Sequence, residues 1–140
     1  MFTVGGFYGY NFKDEQGGHS QLVGVNLALD YTVTSWMTIG IEQAGFYHFD
    51  TKSDGPGGRT VFGPDFYIGD LLGKDWPVAP YIGANVGYLY GSGIHDDGIA
   101  GPEIGMVWDM FNFKTAYDIP FNRSPDHGIL NTTIGVVFHF

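Results

Sequence analysis

The sequence contains no cysteine, which excludes disulfide staples, thiolate metal sites and cysteine nucleophiles. Basic residues are also scarce, with 6 Lys plus Arg against 15 Asp plus Glu and a formal net charge of -9. Nucleic acid is thereby excluded as a partner, since binding phosphate needs a basic surface. Charge of either sign is low, at 15% of residues, for a chain that must keep its whole surface in water. No run approaches the roughly 18 apolar residues of a membrane helix. The N-terminus lacks a basic segment followed by an apolar one, so an export signal is either absent or already removed. What the chain does have is 23 glycines and 17% aromatic residues. Its 140 residues fit a single domain, 1–140, and no linker or low-complexity tract divides it.

The dominant pattern has period two: large apolar residues alternate with small or polar ones, between clusters of Gly, Asp, Asn and Pro. That is the signature of strands. Eight are predicted, over 2–12, 20–32, 36–49, 60–71, 79–90, 99–109, 112–122 and 129–140. Connections near 33–35, 72–78 and 110–111 are short, whereas those near 13–19, 50–59, 91–98 and 123–128 are longer and more polar. Short and long connections therefore fall at opposite ends of an all-β, antiparallel, up-and-down barrel.

The two faces of each strand decide which solvent each meets. Leu130, Thr132, Ile134, Val136, Phe138 and Phe140 share one face of the last strand, against Asn131, Thr133, Gly135, Val137 and His139. Val23, Val25, Leu27, Leu29 and Tyr31 likewise oppose Gly24, Asn26, Ala28 and Asp30. The face opposite the bulky residues is mostly glycine, alanine and threonine. A soluble, lipocalin-like barrel would turn the bulky face inward and cover the other with Lys and Glu, which this chain lacks. Small residues instead suit the crowded interior of a narrow barrel whose large apolar side chains point into lipid. Leaving that face in water would forfeit about 1.5–3 kcal/mol for each Leu-sized side chain, more in sum than a domain's roughly 5–15 kcal/mol of stability. Trp36, Trp76 and Trp108 fall beside the short turns, and Tyr8, Tyr10, Phe12, Tyr47, Phe49, Tyr88, Tyr90 and Phe121 fall toward the longer loops. These are the two interfacial girdles of a membrane barrel.

With the terminal run Thr132-Thr133-Ile134-Gly135-Val136-Val137-Phe138-His139-Phe140 in view, the chain resembles the small outer-membrane β-barrel proteins of Gram-negative bacteria, the OmpA-, OmpX- and opacity-protein-like group. The segments Pro80-Tyr81-Ile82-Gly83-Ala84-Asn85-Val86-Gly87-Tyr88 and Gly101-Pro102-Glu103-Ile104-Gly105 look like that group's central strands. The resemblance implies an eight-stranded transmembrane barrel in the outer membrane with periplasmic termini. It also implies that Ile134, Val136, Phe138 and Phe140 form the signal read by the barrel-assembly machinery. The implied partners are that machinery, outer-membrane lipids and lipopolysaccharide, with the chain itself a monomer. The motifs specify a fold and an export route, not an activity.

Pro64, Pro102 and Pro120 fall within predicted strands, although a closed barrel has no edge to accommodate a missing N–H. All three are expected toward the long-loop rim, where a bulge or an early end to pairing absorbs them.

The face assignment turns Asp30, Glu42, Asp65, Glu103 and Asp118 inward, with Lys114 the clearest inward cation and His48 and His139 as further partners. Counting back from a turn at 110–111 places Glu103 opposite Asp118, and two close carboxylates in low dielectric need a counter-charge, water or a shared proton. The interior reads either as a hydrogen-bonded, acid-rich polar plug or as a narrow cation-preferring path for small solutes. Plug is the expectation, because eight strands leave room for little beyond side chains and water.

The loops hold His19, His48 with Asp50 and Asp54, His95 with Asp96 and Asp97, and Asp126 with His127. Imidazole with carboxylate binds transition metals, but no helical spacing or dense ligand repeat makes a metal specific, and solvated acidic tips are expected. Some barrels of this size resemble outer-leaflet lipid-modifying enzymes that pair Ser with His. Here His19-Ser20 is the only adjacent pair; Ser92 and Ser124 lie near His95 and His127, and no His-x-Ser pattern or nucleophile elbow occurs. Gly17-Gly18 and Gly57-Gly58 are not phosphate loops, since no helix N-terminus follows. The expectation is a non-enzymatic envelope protein without cofactor or metal, structural or surface-interacting.

Overall fold

The computed structural model describes residues 1–11, 20–49, 55–73, 77–91, 97–121 and 128–138. Eight strands form a closed barrel: β1 (Phe2–Asn11), β2 (Ser20–Thr34), β3 (Met37–Phe49), β4 (Gly55–Tyr67), β5 (Ala79–Gly91), β6 (Asp97–Trp108), β7 (Phe111–Pro120) and β8 (Ile129–Phe138). Every neighbouring pair is antiparallel. Closure comes from β1, which pairs with β2 through Phe2↔Leu29 and with β8 through Phe2↔Phe138. The strands match or exceed the roughly 9–11 residues that cross a bilayer at a tilt. No strand edge is left open among the described residues, which removes the liability of unpaired backbone.

Burial alternates along the strands, and its sense settles the two faces. Ile39, Val86, Ile134 and Phe138 are 47%, 37%, 56% and 52% exposed, respectively. On the inner face, Leu22 and Arg59 are fully enclosed. The bulky apolar face therefore points outward all round, and the glycine-rich face points into the lumen. Polar groups on the outer face largely serve one another. Gln43 Nε2 donates to Tyr90 Oη at 3.0 Å, the Thr60 hydroxyl donates to Gln43 Oε1, and the Thr115 and Thr132 hydroxyls lie 3.3 Å apart. At the short-turn end Trp36 stacks on Phe66 at 6.1 Å, and Trp108 is exposed. At the other end Tyr47 packs on Phe49 at 4.9 Å and Tyr88 on Tyr90 at 6.3 Å. Trp76 and Phe12 lie outside the described residues.

Strand β4 differs most from the sequence reading. It begins at Gly55, five residues before the expected start, and gives way after Tyr67 to a helical turn, α1 (Ile68–Leu71). Gly55-Pro56-Gly57-Gly58 reads as a loop, but its glycines answer to crowding. A Cβ on Gly57 would lie 2.6 Å from the Phe46 ring, and one on Gly58 would lie 2.6 Å from the Tyr90 ring. The β6–β7 turn is Asp109–Met110, one residue earlier than expected, with Asp109 at φ 56 and Trp108 paired to Phe111. A two-residue hairpin takes that left-handed backbone because it matches the strand twist.

The prolines also depart from expectation. Only Pro120 lies at the long-loop rim, opposite Ile99. Pro64 pairs with Ile39, near the short-turn end, and Pro102 faces Ala84 in mid-wall. Neither makes a bulge. The β4–β5 ladder stops at Phe62↔Val86 and resumes in unchanged register at Asp65↔Gly83, and the β6–β7 ladder does the same between Ala100↔Ile119 and Glu103↔Ala116. A strand residue directs its N–H to only one neighbour, so each proline interrupts one ladder while the other continues.

The interior is layered. Phe7, Leu22, Ala44, Phe46, Val61, Leu89, Ile99 and Ile129 form one buried apolar cluster in the long-loop half. Phe7 and Phe46 stack at 5.7 Å across its centre. The lumen is thus not polar throughout, as expected, but has an apolar layer on its long-loop side.

Candidate functional site

Below that layer the inward-facing charged residues meet. Arg59, on β4, sends Nε and Nη2 to Asp118 Oδ2 and Oδ1 at 2.6 and 2.9 Å, and Nη1 to Glu42 Oε1 at 2.8 Å. The fork matches the carboxylate plane, which gives a charge-assisted bond on each tine. Lys114 donates to Glu42 Oε2 and lies 3.6 Å from Glu103 Oε2. Two asparagine amides complete the acids' shells: Asn131 Nδ2 donates to Asp118 at 2.8 Å, and Asn85 Nδ2 donates to Glu103 at 2.5 Å. Glu42 is the hub, shared by both cations.

All six residues singled out from the sequence, Asp30, Glu42, Asp65, Glu103, Lys114 and Asp118, lie on the inner face. Glu42, Glu103 and Lys114 come into direct contact, and Asp118 joins them through Arg59. Asp30 and Asp65 line a cavity of about 20 Å³ on the short-turn side, together with Glu103, Lys114, Tyr67 and Tyr81. A space of that size holds about one water. Tyr81 closes one wall, its hydroxyl donating to Asn112 Oδ1 at 2.8 Å.

Two corrections concern pairing. Glu103 is opposite Ala116, not Asp118. The turn lies one residue earlier than counted, and each residue of turn position moves a cross-strand partner by two. The predicted carboxylate pair is thereby offset, and Arg59 with Asn131 neutralises Asp118. Arg59 itself is the functional residue that the sequence reading missed, because the glycines before it were assigned to a loop. Its place in the series Arg59, Val61, Gly63, Asp65 is the signal that finds it.

His48 is completely buried two residues beyond Phe46, on the long-loop side of the apolar layer, and Asp97 is buried at the start of β6. Among the described residues, no three His, Asp or Glu side chains converge to hold a metal. The remaining loop candidates, His19, Asp50, Asp54, His95, Asp96, Asp126 and His127, lie outside the described residues. So do Ser92, Ser124, His139 and Phe140. Ile134, Val136 and Phe138 all face outward from β8.

Five carboxylates thus face two cations in a space walled off by the apolar layer. The arrangement neutralises and fixes charge; it presents no open passage past Phe7, Phe46 and Leu22. No protein-family model matches the chain, and no curated protein does. Among solved structures, the barrel is similar to that of Ail, the attachment invasion locus protein of Yersinia pestis. The TM-score is 0.57 at 16% identity, over 96% of this chain and 93% of that one. At that identity the likeness concerns the fold: a small outer-membrane barrel of eight strands.

Proposed function

We propose that the chain is a non-enzymatic integral protein of a bacterial outer membrane, acting through its surface as a structural or contact element of the envelope. One observation carries the reading. The barrel is wrapped outside by an apolar belt between aromatic girdles and closed inside by an apolar layer stacked on a self-paired ionic network. The belt matches a bilayer, and the closed lumen leaves the outside as the working surface. The short turns at one end, with both strand termini, suit the periplasmic side of such barrels. Lipid and lipopolysaccharide are then the surrounding partners, and β8 is the strand offered to the assembly machinery through Ile134, Val136, Phe138 and Phe140. The name of the structural neighbour, an attachment invasion protein, fits a surface role of the same kind.

A narrow cation path is the second reading, favoured by the acids around the small cavity. Planar-bilayer recording separates the two. The folded chain is expected to give no steady conductance; cation-selective steps that Glu103→Gln abolishes would overturn the closed-barrel reading. Incubation with lipid A followed by mass spectrometry is expected to leave the lipid mass unchanged, and a changed mass would establish a lipid-modifying enzyme.

A further inference from the structure

Two Gly-Pro steps interrupt the barrel wall, Gly63-Pro64 on β4 and Gly101-Pro102 on β6. The first leaves a specific acceptor. Register on either side of the break sets Pro64 opposite Ala84. A Cβ on Gly63 would lie 1.9 Å from the Ala84 carbonyl oxygen, the same relation that Gly24 has to the Gly45 oxygen and Gly87 to the Thr60 oxygen. In those two cases the oxygen belongs to the residue paired with the one after the glycine, in Val25↔Gly45 and Tyr88↔Thr60. There an N–H faces the oxygen. After Gly63 comes Pro64, which has no N–H, so the Ala84 carbonyl receives no donor from its ladder. Glycine lets the oxygen rest against a Cα–H, a weak substitute.

Outside the wall at this point is a groove of about 600 Å³. Ala84 and Pro102, directly opposite each other, form its floor, and the larger Ile82, Ile104, Tyr117 and Leu130 rise around them. The groove lies in the middle of the apolar belt, where a bilayer supplies no water to an unmatched backbone carbonyl. Its apolar walls suit a hydrocarbon chain, and its floor calls for a single hydrogen-bond donor.

We infer that this groove is a lipid site selecting an acyl chain that carries a hydroxyl along its length, the hydroxyl donating to the Ala84 carbonyl oxygen. The inference rests on the placement of the barrel in a bilayer. An unsubstituted chain fills the same space but leaves the acceptor unmatched, so the preference amounts to one hydrogen bond, about tenfold in affinity.

The test uses the whole chain folded in detergent micelles and native mass spectrometry with two probes. Ricinoleate bears a mid-chain hydroxyl, and oleate differs only in lacking it. Ricinoleate is expected to be retained at about tenfold lower concentration. Pro64→Ala returns an N–H to the ladder opposite Ala84 and is expected to equalise the two probes while leaving oleate retention unchanged. Ala84→Phe fills the groove and is expected to abolish both. Equal retention by the unaltered chain, or a preference that survives Pro64→Ala, overturns the hydroxyl assignment. Unchanged retention by Ala84→Phe overturns the groove. Heat-modifiable gel migration of the same samples reports insertion separately; a chain that does not fold in detergent overturns the membrane reading and the site with it, a result distinct from the other two.

Discussion

Arg59 binds two acids through three nitrogens with its side chain fully enclosed. Its removal leaves Glu42 and Asp118 as buried charges with only Lys114 and amides beside them, and breaking a buried pair from one side costs about 3–5 kcal/mol. Arg59→Met is expected to lower unfolding stability by that amount, measured by urea titration in lipid vesicles. Arg59→Lys is expected to lose less, because it keeps the charge, but to fall short of the wild type because an ammonium cannot reproduce the fork. If Arg59→Met proves as stable as the wild type, the ionic layer is not a structural element. The acids of this layer were legible from parity alone, since each occupies an inward position of an unmistakable strand. Arg59 was not, because crowding by Phe46 and Tyr90 and a turn both select glycine, and a single sequence does not separate the two causes.

At the scale of the element, alternation carries the fold. Strand β8 alternates buried and exposed without interruption from Ile129 to Phe138, so its register has only one acceptable face toward the lumen. Placing a cation on the outer face tests what that face meets. Ile134→Lys is expected to cost about 2–4 kcal/mol in a bilayer if the side chain sits near the midplane, and less toward either interface. No loss in vesicles would mean that the belt is not lipid-facing. The strand ends were less legible than the strands. The turn at Asp109–Met110 and the start of β4 each moved by one or more residues, because Asp, Asn, Gly and Pro mark a change of direction without fixing its register. The prolines followed a rule invisible in one strand read alone, in which each needs only one of its two ladders to tolerate a gap.

For the whole molecule, the apolar layer decides whether the lumen is a path. Phe7 and Phe46 form its stacked centre, from β1 and β3, with Leu22, Leu89, Ile99 and Ile129 around them. Phe46→Ala is expected to reduce stability by about 3–5 kcal/mol, read by the same urea titration. The double variant Phe7→Ala with Phe46→Ala is expected to give small conductance steps in planar bilayers where the wild type is silent. A double variant that stays silent would place the barrier in the ionic layer instead.

Strand number, antiparallel order and the outward aim of the large apolar residues follow from the sequence, because period-two alternation with too little charge admits only one solvent for the bulky face. The lumen's six acidic and basic candidates follow from the same parity. Which of them touch, the entry of Arg59, the apolar layer and the groove over Ala84 were settled only by tertiary structure. Those features depend on how far each strand slides past its neighbours when the sheet closes, and a one-residue change in any turn moves every cross-strand partner by two.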